Sequence, residues 1–166
     1  MWNQIFQDAL FAAIAAIGFS SISRPPARAY VWCALIAAVG HAARFCLMSP
    51  GFGLDMHIIS ATLAASFLVG VLAVLVSPVA SVPAETYLFP SLLPMVPGIY
   101  AYKTFGAFAM SVLSQGQEAF GFYFYQFAYN GFSCACILLS MAVGATLPVF
   151  MFEKISFRAT RTHKIM

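Results

Sequence analysis

Phe89-Pro90-Ser91-Leu92-Leu93-Pro94-Met95-Val96-Pro97-Gly98-Ile99-Tyr100-Ala101-Tyr102-Lys103 is apolar enough to lie inside a membrane, yet it carries three prolines at spacings of four and three, then a glycine. Each proline removes a backbone donor and clashes with the preceding turn, so an unbroken helix through Pro94, Pro97 and Gly98 is not expected. In hydrocarbon each freed carbonyl or amide costs several kcal/mol, so such backbone persists only where protein or a water-filled cavity satisfies it. A discontinuous helix at membrane depth is therefore a candidate binding site, against the plainer reading of a proline-kinked structural span.

The rest of the chain is of the same character. Of its 166 residues 62% are hydrophobic and 8% charged, where a soluble domain carries about 25% charged residues. The runs Ile58 to Ala84 and Ala119 to Phe152 contain no Asp, Glu, Lys, Arg or His, and each exceeds the roughly 20 residues that span a bilayer. These features predict an all-α integral membrane protein with five transmembrane helices, the fourth broken by prolines. Residues 1–152 form the five-helix domain and residues 153–166 a basic cytoplasmic tail. A separate soluble catalytic domain has no room, and the net charge of +3 lies mostly in the tail and does not suggest nucleic-acid binding.

In chain order, the first span covers about Ile5 to Ile22, with Ala12, Ala13, Ala15, Ala16 and Gly18 as a small-residue packing surface. It lacks a preceding basic region and has Asp8 near its start, so it reads as a retained helix and not a cleaved signal. Pro25 and Pro26 break the chain before the second span, about Tyr30 to Met48. Ser49 to Asp55 is a glycine-rich turn, the third span runs from about His57 to Ser77, and the fourth from about Tyr87 to Met110. A polar turn is expected over residues 114–118. The aromatic-rich residues 120–127 then read as an interfacial segment leading into the fifth span, with an aromatic substrate platform as the alternative.

Chemistry concentrates in two places. His41 and Arg44, three residues apart on one helix face, offer donors to an anionic group if they face the bundle interior; snorkelling of Arg44 to the headgroups is the alternative. Beyond the break, Gly98 opens a half-helix whose amino-terminal amides carry partial positive charge, with Tyr100, Tyr102 and Lys103 beside it. The candidate substrate-binding set is thus His41, Arg44, Pro97, Gly98, Tyr100, Tyr102 and Lys103. Cys33, Cys46, Cys134 and Cys136 all fall in apolar spans and read as structural, with neither a disulfide framework nor a CxxC pattern. No intramembrane carboxylate pair, metal-ligand cluster or activated nucleophile accompanies the basic residues, so neither an enzyme nor a metal or other cofactor is expected.

Orientation follows from basic residues near span ends, which favour the cytoplasm. Arg24 and Arg28 after the first span, and Lys154, Arg158, Arg161 and Lys164 after the fifth, fall on one side when four spans separate them. The amino terminus is then outside and the carboxyl terminus inside.

Arg28, Trp32-Cys33-Ala34-Leu35, Gly40-His41, Arg44 and Met48, followed by Pro94-Met95-Val96-Pro97-Gly98-Ile99-Tyr100-Ala101-Tyr102, resemble the threonine/serine exporter family, and in particular the small-subunit type of its two-component members. The resemblance implies a bacterial inner-membrane exporter of threonine and serine or of small dicarboxylates such as succinate. It also implies a larger membrane subunit as partner, since fused members join a longer half to one like this chain. Five spans per half would give the two halves opposite orientations, the geometry of inverted repeats. Two other readings stay open beside a transport subunit: a structural assembly subunit with the path in its partner, and a homo-oligomeric pore, which the small-residue faces permit without requiring.

Overall fold

The structure is a computed structural model and describes residues 2–50, 54–80 and 82–156. The described residues are helical, with no strand: α1 Trp2–Ser23, α2 Ala27–Met48, α3 Ile58–Ala80, α4 Glu85–Leu92, a 3₁₀ turn Leu93–Met95, α5 Gly98–Leu113, α6 Gln117–Met151 and α7 Glu153–Ser156. Four of them, α1, α2, α3 over Ile58–Val79, and α6, are long and apolar enough to cross a membrane. α4 has 8 residues and α5 has 16, so neither reaches that length alone. The turn residues Gly51, Phe52 and Gly53, and the tail residues Arg158, Arg161 and Lys164, lie outside the described residues.

The helix boundaries follow local chemistry. Arg24 ends α1 in the left-handed region at φ 48°, its N–H bonded to the Ser20 carbonyl, and Pro25-Pro26 cannot continue the helix. Pro26 caps α2 at φ −53° and ψ 143°. The connection after α5 is shorter than the polar turn the sequence suggests. It occupies Ser114 to Gly116, where Gly116 takes φ 107°, and Gln117 and Glu118 already belong to α6. Glu118 in the first turn suits the positive end of the helix dipole. The aromatic residues 120–127 are the opening turns of α6.

The described chain divides into two compact units: residues up to Met95 together with those from Ser140 onward, and Val96–Leu139. In the first unit a core of small residues and of Val69, Tyr87 and Met95 is buried, while many large apolar side chains face out. α1 buries Ala12, Ala16 and Ser20 at a spacing of four against α2, while Phe6, Phe11 and Ile14 are exposed. Of the alanines and glycine expected to pack, Ala15 is only half-buried and Gly18 is open. Large apolar side chains exposed around the outside of the bundle are what a lipid surround requires.

Two helix pairs approach closely. On α6, a Cβ on Gly144 would overlap the Ser66 hydroxyl and lie 2.6 Å from the Leu63 carbonyl oxygen; on α3, one on Gly70 would lie 2.5 Å from that of Ala145. These contacts advance together along both chains, so α3 and the second half of α6 run parallel. α2 and α4 are parallel by the same logic: the Cys33 carbonyl accepts from Ser91 at 3.0 Å, and eleven residues on Arg44 meets Met95. Ser77 secures the carboxyl end of α3, donating to the Val82 carbonyl at 2.8 Å and lying 3.3 Å from that of Ser156 in α7.

In the second unit α5 and the first half of α6 form an antiparallel hairpin. Thr104 packs on Gly131, where an added Cβ would sit 3.4 Å from the threonine methyl, and Phe108 and Phe127 have ring centroids 5.5 Å apart.

Candidate functional site

α1 and α2 meet through small side chains, and that close approach brings Asp8 of α1 to His41 of α2. His41 Nδ1 and Asp8 Oδ2 are 3.1 Å apart, the imidazole buried and the carboxylate partly exposed. With Asp8 accepting from Nδ1–H, neutral His41 presents Nε2 as an acceptor. Nε2 is buried and has no hydrogen-bond partner among the described residues. In this tautomer Nε2 offers an acceptor, in place of the donor the sequence alone suggested.

One turn further along α2, Arg44 Nη1 donates to the Met95 carbonyl at 3.0 Å. The partner explains the interaction. Met95 closes the 3₁₀ turn, and the chain resumes as helix only at Gly98, so its carbonyl lacks the amide that a continuous helix would supply. A guanidinium at the carboxyl end of α4 and its 3₁₀ turn is also favoured by the helix dipole. Arg44 is half-buried and faces this turn. Asp8, Arg44, Phe45, Met48, Ser49 and Pro50 line a pocket of about 350 Å³.

Pro97, Gly98, Tyr100, Tyr102 and Lys103 belong to the second unit. Pro97 adopts φ −78° and ψ 62°, and the Gly98 N–H donates to the Val96 carbonyl at 2.8 Å. That is an inverse γ-turn centred on Pro97. It occupies one of the amino-terminal amides of α5, and the N–H groups of Ile99 and Tyr100 are those without an intrahelical acceptor. The Tyr100 carbonyl accepts from the Thr104 hydroxyl at 2.7 Å. Tyr102 and Lys103 are exposed and line a different pocket, of about 450 Å³, within the α5–α6 hairpin. Sequence reasoning grouped seven residues into one site; the first unit joins His41 and Arg44 to Asp8 and Met95, and the second carries Tyr102 and Lys103 beside Gln126 and Asn130.

The arrangement in the first unit can bind and orient a small anion or hydroxyl, and it holds a carboxylate against an imidazole within a helix pair apolar enough to span a membrane. Among the described residues no group of three or more His, Cys, Asp or Glu is placed to hold a metal ion, and the four cysteines are free. Asp8 is the partner of His41 that sequence reasoning missed. Its signal was a lone carboxylate inside an apolar helix, which is costly unless it has a partner.

Residues 8–151 match the family described as "Threonine/Serine exporter, ThrE". An uncharacterized protein of Haemophilus influenzae is 32% identical over 154 residues, which cover 91% of this chain and 48% of that protein. The chain thus spans about half the length of this curated relative. No solved structure matches the chain.

Proposed function

The chain belongs to the threonine/serine exporter family, and from that premise we propose that it is a membrane subunit of a secondary exporter for small carboxylate metabolites, threonine and serine or dicarboxylates such as succinate. It moves its substrate unchanged and carries out no covalent chemistry. The observation that carries this reading is the Asp8–His41 pair and the Arg44–Met95 bond, polar contacts whose charged side chains stand on α1 and α2, two helices of membrane-spanning length. Arg44 supplies the positive charge for the substrate carboxylate, and His41 Nε2 accepts from its hydroxyl or ammonium group. Pro97, Gly98, Tyr100, Tyr102 and Lys103 contribute to the path from the second unit.

In this reading α4, the 3₁₀ turn and α5 together make the fourth of five spans, broken between Met95 and Gly98. The parallel course of α2 with α4, and of α3 with the second half of α6, supports an alternating five-span topology. The amino terminus is outside, the carboxyl terminus cytoplasmic, and the membrane the bacterial inner one. A larger membrane subunit supplies the other half of the transporter; a relative of about twice the length supports a second half.

The test is efflux of isotope-labelled threonine, serine and succinate from cells producing the chain with that subunit. Arg44→Gln and His41→Gln should each lower efflux at unchanged membrane abundance. Normal efflux in both variants would remove the first-unit cluster from the transport path.

A further inference from the structure

The α5–α6 hairpin holds a polar group that the first-unit cluster does not use. Lys103 and Tyr102 on α5, and Phe122, Tyr123, Gln126 and Asn130 on α6, line its pocket of about 450 Å³. We propose that Lys103 and Gln126, with Asn130 behind them, form a second substrate station that selects small carboxylates bearing another hydrogen-bonding group, such as a hydroxyl or a second carboxylate. The proposal rests on the transport reading above and adds to it where specificity is set.

Asn130 is 5% exposed, and its amide nitrogen lies 2.7 Å from the Gln126 carbonyl and 3.3 Å from Gln126 Oε1. With Oε1 accepting from Asn130, Gln126 offers its amide N–H groups as donors to whatever enters. Lys103 meets no carboxylate at ion-pair distance among the described residues. Its ammonium is therefore available to a carboxylate in the pocket, while Phe122 and Tyr123 give the cavity an apolar and aromatic wall.

Depth separates a soluble substrate from a lipid headgroup. Lys103 lies ten residues before the end of α5, and Gln126 nine after the start of α6. At about 1.5 Å per residue both are about 14 Å from the loop that joins the helices. With α5 and α6 in the fourth and fifth spans and that loop at the membrane surface, the distance exceeds the thickness of the headgroup layer. A phosphate at the surface does not reach such a group, whereas a small carboxylate crossing the protein passes it. An unpaired cation at this depth is costly without a ligand or water.

A donor pair that replaces the water around a substrate hydroxyl discriminates against the analogue lacking it, because the site's own polar groups are then left unpaired. Lys103 fixes the carboxylate and Gln126 reads the second group. Asn130 is a positioning residue, acting through the Gln126 carboxamide.

The experiment is equilibrium binding of labelled serine, alanine, succinate and butyrate to the full-length chain in detergent, for wild type and for Lys103→Gln, Gln126→Leu, Asn130→Ala and Arg44→Gln. Each variant is first checked for monodispersity and helical content. Gln126→Leu should weaken serine and succinate about tenfold and leave alanine and butyrate within about twofold. Asn130→Ala should shift the serine-to-alanine ratio in the same direction by a smaller factor, and Lys103→Gln should weaken all four. The ratio is the decisive readout, since general loss of fold would lower every affinity together. Wild-type ratios in Gln126→Leu and Asn130→Ala, with binding lost only in Arg44→Gln, would overturn the second station and keep the first-unit site. Loss in the hairpin variants with a silent Arg44→Gln would uphold the station and reject the first-unit assignment. A wild-type chain that binds none of the four at millimolar concentration would reject both.

Discussion

Replacing Arg44 with methionine removes the donor that satisfies the Met95 carbonyl while keeping an unbranched side chain of comparable length, so the cavity contribution is small. What is lost is one charge-assisted hydrogen bond of 3.0 Å, and such bonds contribute about 1.5–3 kcal/mol. The carbonyl left behind sits where the helix has ended, with no amide to take the place of the guanidinium, so the cost falls within that range. For a chain of this length about 2 kcal/mol corresponds to a fall of about 4–8 °C in the unfolding midpoint. Circular dichroism of the purified full-length protein in detergent measures it. Arg44→Lys keeps a charge and a compact ammonium in place of the planar fork and should recover about half of the loss. An unchanged midpoint in Arg44→Met, within about 1 °C, would mean that the Met95 carbonyl does not depend on Arg44. The Lys variant also separates two duties of the residue: satisfying Met95 takes one donor, whereas gripping a carboxylate as well takes a fork of several, so Arg44→Lys should regain stability more fully than efflux.

Four further outcomes follow from the packing and the polar contacts. Gly144→Ala puts a methyl onto the Ser66 hydroxyl and 2.6 Å from the Leu63 carbonyl oxygen, which should destabilise the first unit by about 1–3 kcal/mol. Gly18→Ala has nothing within 4 Å to meet and should be neutral or stabilise by up to about 1 kcal/mol; the same thermal melts compare the two. Ser91→Ala deletes the buried bond to the Cys33 carbonyl at 3.0 Å and should cost about 1 kcal/mol, with a wild-type midpoint counting against its part in joining α2 and α4. Asp8→Asn keeps an acceptor for His41 Nδ1 and Asp8→Ala does not, so the alanine variant should be the less stable of the two in the same melt.

How far the sequence could be read depended on the range of the interaction. The long apolar helices were legible because composition and run length report directly on a bilayer. Boundaries were legible where prolines act locally, as at Pro25-Pro26. They were not at residues 114–118, where Gln117 and Glu118 look like loop residues yet favour the first turn of a helix. For the site, His41 and Arg44 were visible as charge in an apolar span, but their partners were not. Asp8 reaches His41 only because Ala12, Ala16 and Ser20 let α1 lie close to α2, and a spacing of four in one helix does not say which helix it meets. Lys103 stood out for the same reason as Arg44, whereas Gln126 and Asn130, four residues apart on α6, became informative once α5 was seen to fold back along them.

The two cations differ in what else they bond. Arg44 has spent one donor on the backbone before any substrate arrives, and the guanidinium still keeps several others in a fixed plane. Lys103 has no such bond among the described residues, which leaves its charge to a ligand. An arginine in the first position and a lysine in the second are therefore not interchangeable. Lysine at 44 would have to divide a single compact ammonium between Met95 and the substrate, and arginine at 103 would bring a larger planar group into a pocket that Tyr102, Phe122 and Tyr123 already narrow. Lys103→Arg should consequently preserve charge yet weaken binding of serine more than that of succinate, whose two carboxylates can engage the fork. Wild-type affinity for both ligands would mean that Lys103 acts through charge alone, with no demand on its shape.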